Sequence, residues 1–176
     1  MTDRIIERLG PGLTEADIES LTGLLIDSVA GNASVGFPME LSREEARRFW
    51  ADVAAAVGAG RVILLAVRSG GRILGTVQLA FSQYPNGRSR AEVAKLLVHS
   101  SARRRGLATD LMRAAEDAAR QASRTLLFLD TETGSGAETL YRKLGWTRAG
   151  EIPDFAYKPD GELRPTSFYY KRLTPS

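Results

Sequence analysis

The stretch Leu96-Leu97-Val98-His99-Ser100-Ser101-Ala102-Arg103-Arg104-Arg105-Gly106-Leu107-Ala108-Thr109 decides how this chain is read. An apolar run ends at Val98 and a polar, arginine-rich loop follows. Leu107, Leu111, Met112, Ala115, Ala118, Ala119 and Ala122 then recur at helical spacing. A strand, a tight loop and a helix start together make an anion site. The first turn of a helix has unpaired N–H groups and carries the positive end of the dipole. Gly106 permits close approach to the backbone, and the arginines offer a fork suited to phosphate. The glycine spacing is neither that of the Walker A loop nor that of the dinucleotide fingerprint.

Charge placement points the same way. The chain has 176 residues, 24 Lys+Arg and 21 Asp+Glu, for a net charge of +3. Residues 101–124 hold six basic groups, Arg103, Arg104, Arg105, Arg113, Arg120 and Arg124, against three acidic ones, Asp110, Glu116 and Asp117. The remaining chain is balanced, so the whole excess lies in this window. Basic runs are most often solvated loops. Placed at a strand–helix junction, this one reads as a local handle for one phosphate-bearing ligand. A nucleic-acid partner is not expected, because single-strand platforms interleave aromatics with charge and residues 101–124 contain none.

Composition narrows the rest. The length suits a single domain over residues 1–176. Absence of Cys excludes disulfides, a Cys nucleophile and thiolate metal sites, and a single His excludes His-cluster metal sites, so no metal is expected. The longest strand-like apolar run, Val62 to Val67, is far short of a membrane span. Met1 to Arg8 alternates charge and lacks a signal-peptide core. A cytoplasmic protein without a membrane partner is expected.

Around the loop, Ile5-Ile6 suits a first strand. Thr14 with Asp17 and Ser42 with Glu45 are capping boxes that open two helices. Val62 to Val67, the turn Gly70-Gly71, Ile73 to Phe81 and Glu92 to His99 read as a three-stranded antiparallel meander. Thr125 to Thr131 is almost continuously apolar, typical of a strand parallel to its neighbour. Ser135 to Glu138 reads as a third capping box, opening a helix that ends near Gly145. Trp146 to Gly150 and Ser167 to Leu173 read as final strands around the turn Pro159-Asp160-Gly161. The expected fold is α/β (α+β): a mixed, mainly antiparallel sheet of six or seven strands with helices on both faces.

Arg103-x-x-Gly106-x-Ala108 at this junction resembles the Arg/Gln-x-x-Gly-x-Gly/Ala signature of the GNAT acetyltransferase superfamily. Gly70-Gly71-Arg72-Ile73-Leu74-Gly75 resembles the family's β2–β3 turn. Tyr141-Arg142-Lys143-Leu144-Gly145-Trp146 resembles its Tyr-x-x-x-Gly-Phe segment, with Trp in place of Phe. The likeness in order and spacing covers residues 1–173. Leu126 to Leu173 is similar to tabtoxin resistance acetyltransferases, through Leu129-Asp130-Thr131-Glu132 and Pro159-Asp160-Gly161-x-x-x-Pro165-Thr166.

The resemblance implies direct acetyl transfer from acetyl-CoA to an amine, the acceptor being a small molecule such as an amino-acid-like toxin or antibiotic. It implies that backbone groups of Leu96, Leu97 and Val98 meet the pantetheine arm. It places the pyrophosphate on Arg103, Arg104, Arg105, Gly106, Leu107, Ala108 and Thr109. Tyr141 matches the family's thiolate-side tyrosine, although Ala137, Leu140, Tyr141 and Leu144 also have core spacing. Glu92 lies eleven residues before Arg103, the spacing of the catalytic glutamate in some histone acetyltransferases of the superfamily, and is either general base or ammonium binder. Asp130 shares either task, with Glu132 on the same side by alternation. Lys143 is either a ligand of the nucleotide phosphate or a solvated lysine, and His99 is an incidental strand-end residue. Acetylation of protein N-termini or lysines and a non-catalytic CoA sensor are the rival readings. The loops Asn32–Leu41 and Asp154–Thr166 separate the first rival from a small-molecule enzyme. Homodimers are frequent among the relatives, and a homodimer is open to this chain.

Overall fold

Val62–Ser69 (β2) shows why the sheet is covered on both faces. Ile63, Leu65 and Val67 are buried in one core cluster and Leu64 and Ala66 in another. Because strand side chains alternate, a strand apolar at every position needs a layer on each side. The computed structural model describes residues 4–174, so Met1–Asp3 of the N-terminal segment lie outside it. The elements are β1 (Ile5–Leu9), α1 (Glu15–Ala30), α2 (Arg43–Gly58), β2, β3 (Arg72–Phe81), β4 (Arg90–Val98), α3 (Leu107–Gln121), β5 (Leu126–Glu132), α4 (Gly136–Lys143), β6 (Thr147–Tyr157) and β7 (Leu163–Arg172).

The seven strands lie in the order β1-β2-β3-β4-β5-β7-β6. Every pair is antiparallel except β4 with β5. Leu21, Leu24 and Leu25 of α1 and Trp50 of α2 cover one face. Leu107, Leu111, Met112 and Ala115 of α3 and Tyr141 of α4 cover the other. This is the mixed, mainly antiparallel sheet that the sequence leads one to expect.

Thr14 and Ser42 form reciprocal capping boxes with Asp17 and Glu45. The third box does not form. Ser135 Oγ pairs with Thr131 Oγ1 at 3.2 Å, while Glu138 accepts from Gly134 N–H at 2.7 Å and from the buried Tyr169 hydroxyl at 2.6 Å. Those donors, one of them buried, outcompete the N-cap for the carboxylate. The last two strands are longer than expected, β6 running to Tyr157 and β7 starting at Leu163. Most of β6 is exposed, so cross-strand hydrogen bonds with β7 hold it, and burial leaves little apolar pattern to read.

Candidate functional site

A single extra residue in β4 shapes the centre of the molecule. Gln78 of β3 faces Ala94, but Thr76 faces Leu97, so β4 carries one residue more than its partner. Lys95, at φ 51, absorbs it as a bulge. The bulge reverses the alternation. Ala91 and Val93 point into the core beneath α3, whereas Leu97 points into the core beneath α1 and α2. On the other edge of β4, the parallel ladder with β5 runs only from Arg90↔Leu126 to Glu92↔Phe128. From Val93 onward the two strands part, and the β4 edge facing β5 has no ladder partner.

A cavity of about 620 Å³ lies along this parting. Leu96, Leu97 and Val98 line it, together with Arg103, Arg104, Gly106, Leu107, Ala108 and Thr109, and Ala137 and Leu140 of α4. Gly106, at φ +83, precedes α3, and among the described residues no side chain caps this helix. Its first-turn N–H groups are therefore left for a ligand. Arg104 is also left-handed, at φ 58, and backbone curled in this way presents successive N–H groups to one side. Arg103 ties the loop back to the strand, its Nε donating to the Val98 carbonyl at 3.2 Å.

Two supports of this loop have no signature in the sequence. Asp27 of α1 accepts from Ser100 N–H at 2.8 Å and from Ser100 Oγ at 2.6 Å. His99 accepts from Ser101 N–H through Nδ1 at 3.2 Å, so it caps the turn Ser100–Ala102. Arg105 and Lys143 line neither this cavity nor the next, and the Arg105 carbonyl accepts from Arg4.

A second cavity, of about 450 Å³, opens on the α1/α2 face of the parting. Glu92, Lys95, Asp130, Glu132 and Tyr141 line it, with Ala33–Gly36 on one side and Phe155–Tyr157 on another. The two cavities share Ala33, Val35, Leu96 and Ala137 as walls. Phe155 reaches the site because β6 carries extra residues between Ile152 and Ala156, with Asp154 at φ 50.

Burial pushes the Glu92 carboxyl above the ordinary range, and the neighbouring Asp130 charge adds to that. Burial also lowers the Lys95 ammonium, against the opposing pull of Asp130 and Glu92. Tyr141 is buried with its ring beside Trp146 and Tyr169. Burial, then the Asp130 charge, raise its hydroxyl to about 12, so it carries its proton at neutral pH. Tyr141 is thus a core residue that also lines the second cavity. Sequence reasoning did not single out Lys95. Its signal was the break in alternation at Lys95-Leu96-Leu97-Val98. Glu132 stands in the same cavity, 3.4 Å from Arg164.

The first cavity fits acetyl-CoA in kind. An uncapped helix start with arginines suits a pyrophosphate, and an unpaired strand edge suits an amide-bearing arm. Comparison with solved structures bears on the fold. A ribosomal-protein-alanine N-acetyltransferase from Brucella melitensis has a TM-score of 0.79 at 22% identity, covering 96% of this chain and 99% of that one. A Salmonella typhimurium protein described as an acetyltransferase, solved with its cofactor acetyl-CoA, has a TM-score of 0.79 at 18% identity, covering 99% and 96%. A structure described as a phosphinothricin N-acetyltransferase has a TM-score of 0.79 at 15% identity, covering 98% and 99%. Residues 27–146 match the model of the acetyltransferase (GNAT) family. That match runs from the end of α1 through the bulged strand and the arginine loop to Trp146, and on it the chain belongs to the GNAT acetyltransferases, enzymes that take their acetyl group from acetyl-CoA.

Proposed function

We propose that the protein acetylates the primary amine of a small molecule by direct attack within a ternary complex. The observation that carries this reading is the joining of two loops beside the second cavity. Asn32 Nδ2 donates to Asp160 Oδ2 at 2.6 Å, and Met39 N–H donates to the Pro159 carbonyl at 3.1 Å. These bonds join the loop after α1 to the β6–β7 turn. A polypeptide acceptor would need an open groove there, so the joined loops favour a small molecule.

When bound, acetyl-CoA supplies the activated acetyl carbonyl and a thiolate leaving group. Glu92, with its carboxyl held above the usual range, takes the proton from the acceptor's ammonium. Asp130, on the next strand, holds that ammonium. Tyr141, protonated at neutral pH, gives its proton to the departing sulfur. Backbone N–H groups on the unpaired edge of β4 polarise the carbonyl, a contribution that is commonly large. The arginine loop and the start of α3 bind the phosphates.

An amino-acid-like toxin or antibiotic is the acceptor class we favour. Its support is the likeness of Leu126–Leu173 to tabtoxin resistance enzymes and the fold shared with a structure described as a phosphinothricin N-acetyltransferase. The test is thiol release from acetyl-CoA against a panel of small amines and peptide N-termini. Turnover with small amines alone is expected. Turnover confined to peptides would overturn the acceptor class. Acetyl-CoA binding by calorimetry without turnover on any amine would make the protein a CoA sensor.

A further inference from the structure

We propose that Lys95 is a specificity-determining residue that holds a carboxylate on the acceptor, so that the substrate is a zwitterion bearing both an amine and a carboxylate. This rests on the reading of the second cavity as the acceptor site. Of the four lysines, Lys158 pairs with Asp160 and Glu162, Lys171 pairs with Glu116, and Lys143 is exposed. Lys95 is half-buried, and among the described residues its ammonium has no hydrogen bond or ion pair. Phe49 and Gly36 stand near the ammonium, with Glu92 and Asp130 on the same cavity wall. Nζ lies 5.8 Å from the centre of the Phe49 ring, and a Cβ built on Gly36 would stand 3.9 Å from it.

The backbone is also costly here. A lysine at φ 51 is held in a region that L residues disfavour. The bulge places that cation on the wall of the cavity that Glu92 and Asp130 also line. Neither carboxylate forms an ion pair with it, though their charges act on it. A cation removed from water without a partner is unfavourable, and an incoming anion supplies the missing partner. The cavity then has a complementary charge for each end of a zwitterion. A plain monoamine would leave Lys95 unpaired, and a diamine would place a second cation against it.

The experiment compares coded L-amino acids with their carboxamides and decarboxylated amines as acceptors. Paired calorimetry measures binding of the N-acetyl amino acids and their amides to the CoA-loaded protein. The wild-type protein should favour the carboxylate compounds by about 10- to 100-fold, the scale of a hydrogen bond to a charged group. That ratio should collapse towards unity in Lys95→Gln and return in part in Lys95→Arg. CoA binding reports that each variant is folded. Equal use and equal binding of acid and amide by the wild type would overturn the proposal, as would a ratio that survives in Lys95→Gln. Failure of the acetyltransferase reading is separately visible: no amine would be acetylated, while the calorimetric ratio would still judge Lys95.

Discussion

Asn32 and Asp160 hold each other across 128 positions of sequence, through a 2.6 Å bond from the Asn32 amide and a 3.3 Å bond from the Asp160 N–H. The contact joins the segment leading into Ala33–Gly36 to the β6–β7 turn, beside the cavity proposed for the acceptor. Asn32→Ala should raise the acceptor KM about 5-fold, the worth of roughly 1 kcal/mol, with the acetyl-CoA KM almost unchanged. Two-substrate steady-state kinetics check the split. An equal effect on both KM values would remove the clamp from acceptor selection.

Tyr141→Phe keeps the ring packed between Trp146 and Tyr169 and deletes only the hydroxyl. Turnover should fall about 100-fold, a typical value for losing a positioned acid, while calorimetric affinity for CoA stays within about 2-fold. The melting temperature should hardly move. Unchanged kcat would take Tyr141 out of the chemistry and leave it in the core.

Glu92, as the proposed base, should set the acid limb of the pH profile. Its basic form predominates only above its raised pKa, so kcat/KM should climb with pH at values above the usual glutamate pKa of about 4.3. Burial is the larger cause of the shift, and Asp130 is the second. Asp130→Asn should therefore move the limb to lower pH. Glu92→Gln should remove the limb and cost about 100-fold or more in rate.

Asp17 ties stability to pH. Burial would raise its carboxyl, but hydrogen bonds from Thr14 and Arg68 outweigh this and hold it low. A depressed folded pKa stabilises above the unfolded value and is lost as pH falls through the folded one. Asp17→Asn should cost about 1–3 kcal/mol at neutral pH. The gap to wild type should narrow as acid protonates Asp17, and urea midpoints measured at neutral pH and near pH 3 would show it.

Much of the molecule was legible in the order of its residues. Period-2 and period-3.6 patterns mark β2 to β5 and α1 to α3 because burial alternates along a strand and winds around a helix. Thr14 and Ser42 announce their helices because caps act over three residues. Gly106 and its arginines mark the loop before α3 for the same local reason. Alternation puts the carboxylates at 130 and 132 on one side of β5, and the structure adds Glu92 of β4 to the same cavity.

What escaped sequence reading depends on partners far along the chain. Glu138 was a plausible capping residue until Tyr169, on β7, took its carboxylate. β6 was hard to bound because it is an exposed edge strand held by backbone bonding. The bulge at Lys95 arises from register against β3, and it puts on a cavity wall a lysine that has no ion pair among the described residues. Sequence alone determined most of the elements, the arginine-rich loop before α3 and the family likeness, all set by contacts within a few residues. Only the tertiary structure decided the parting of β4 from β5, the Asn32–Asp160 closure and the company of Lys95, because each depends on which distant segments the fold brings together.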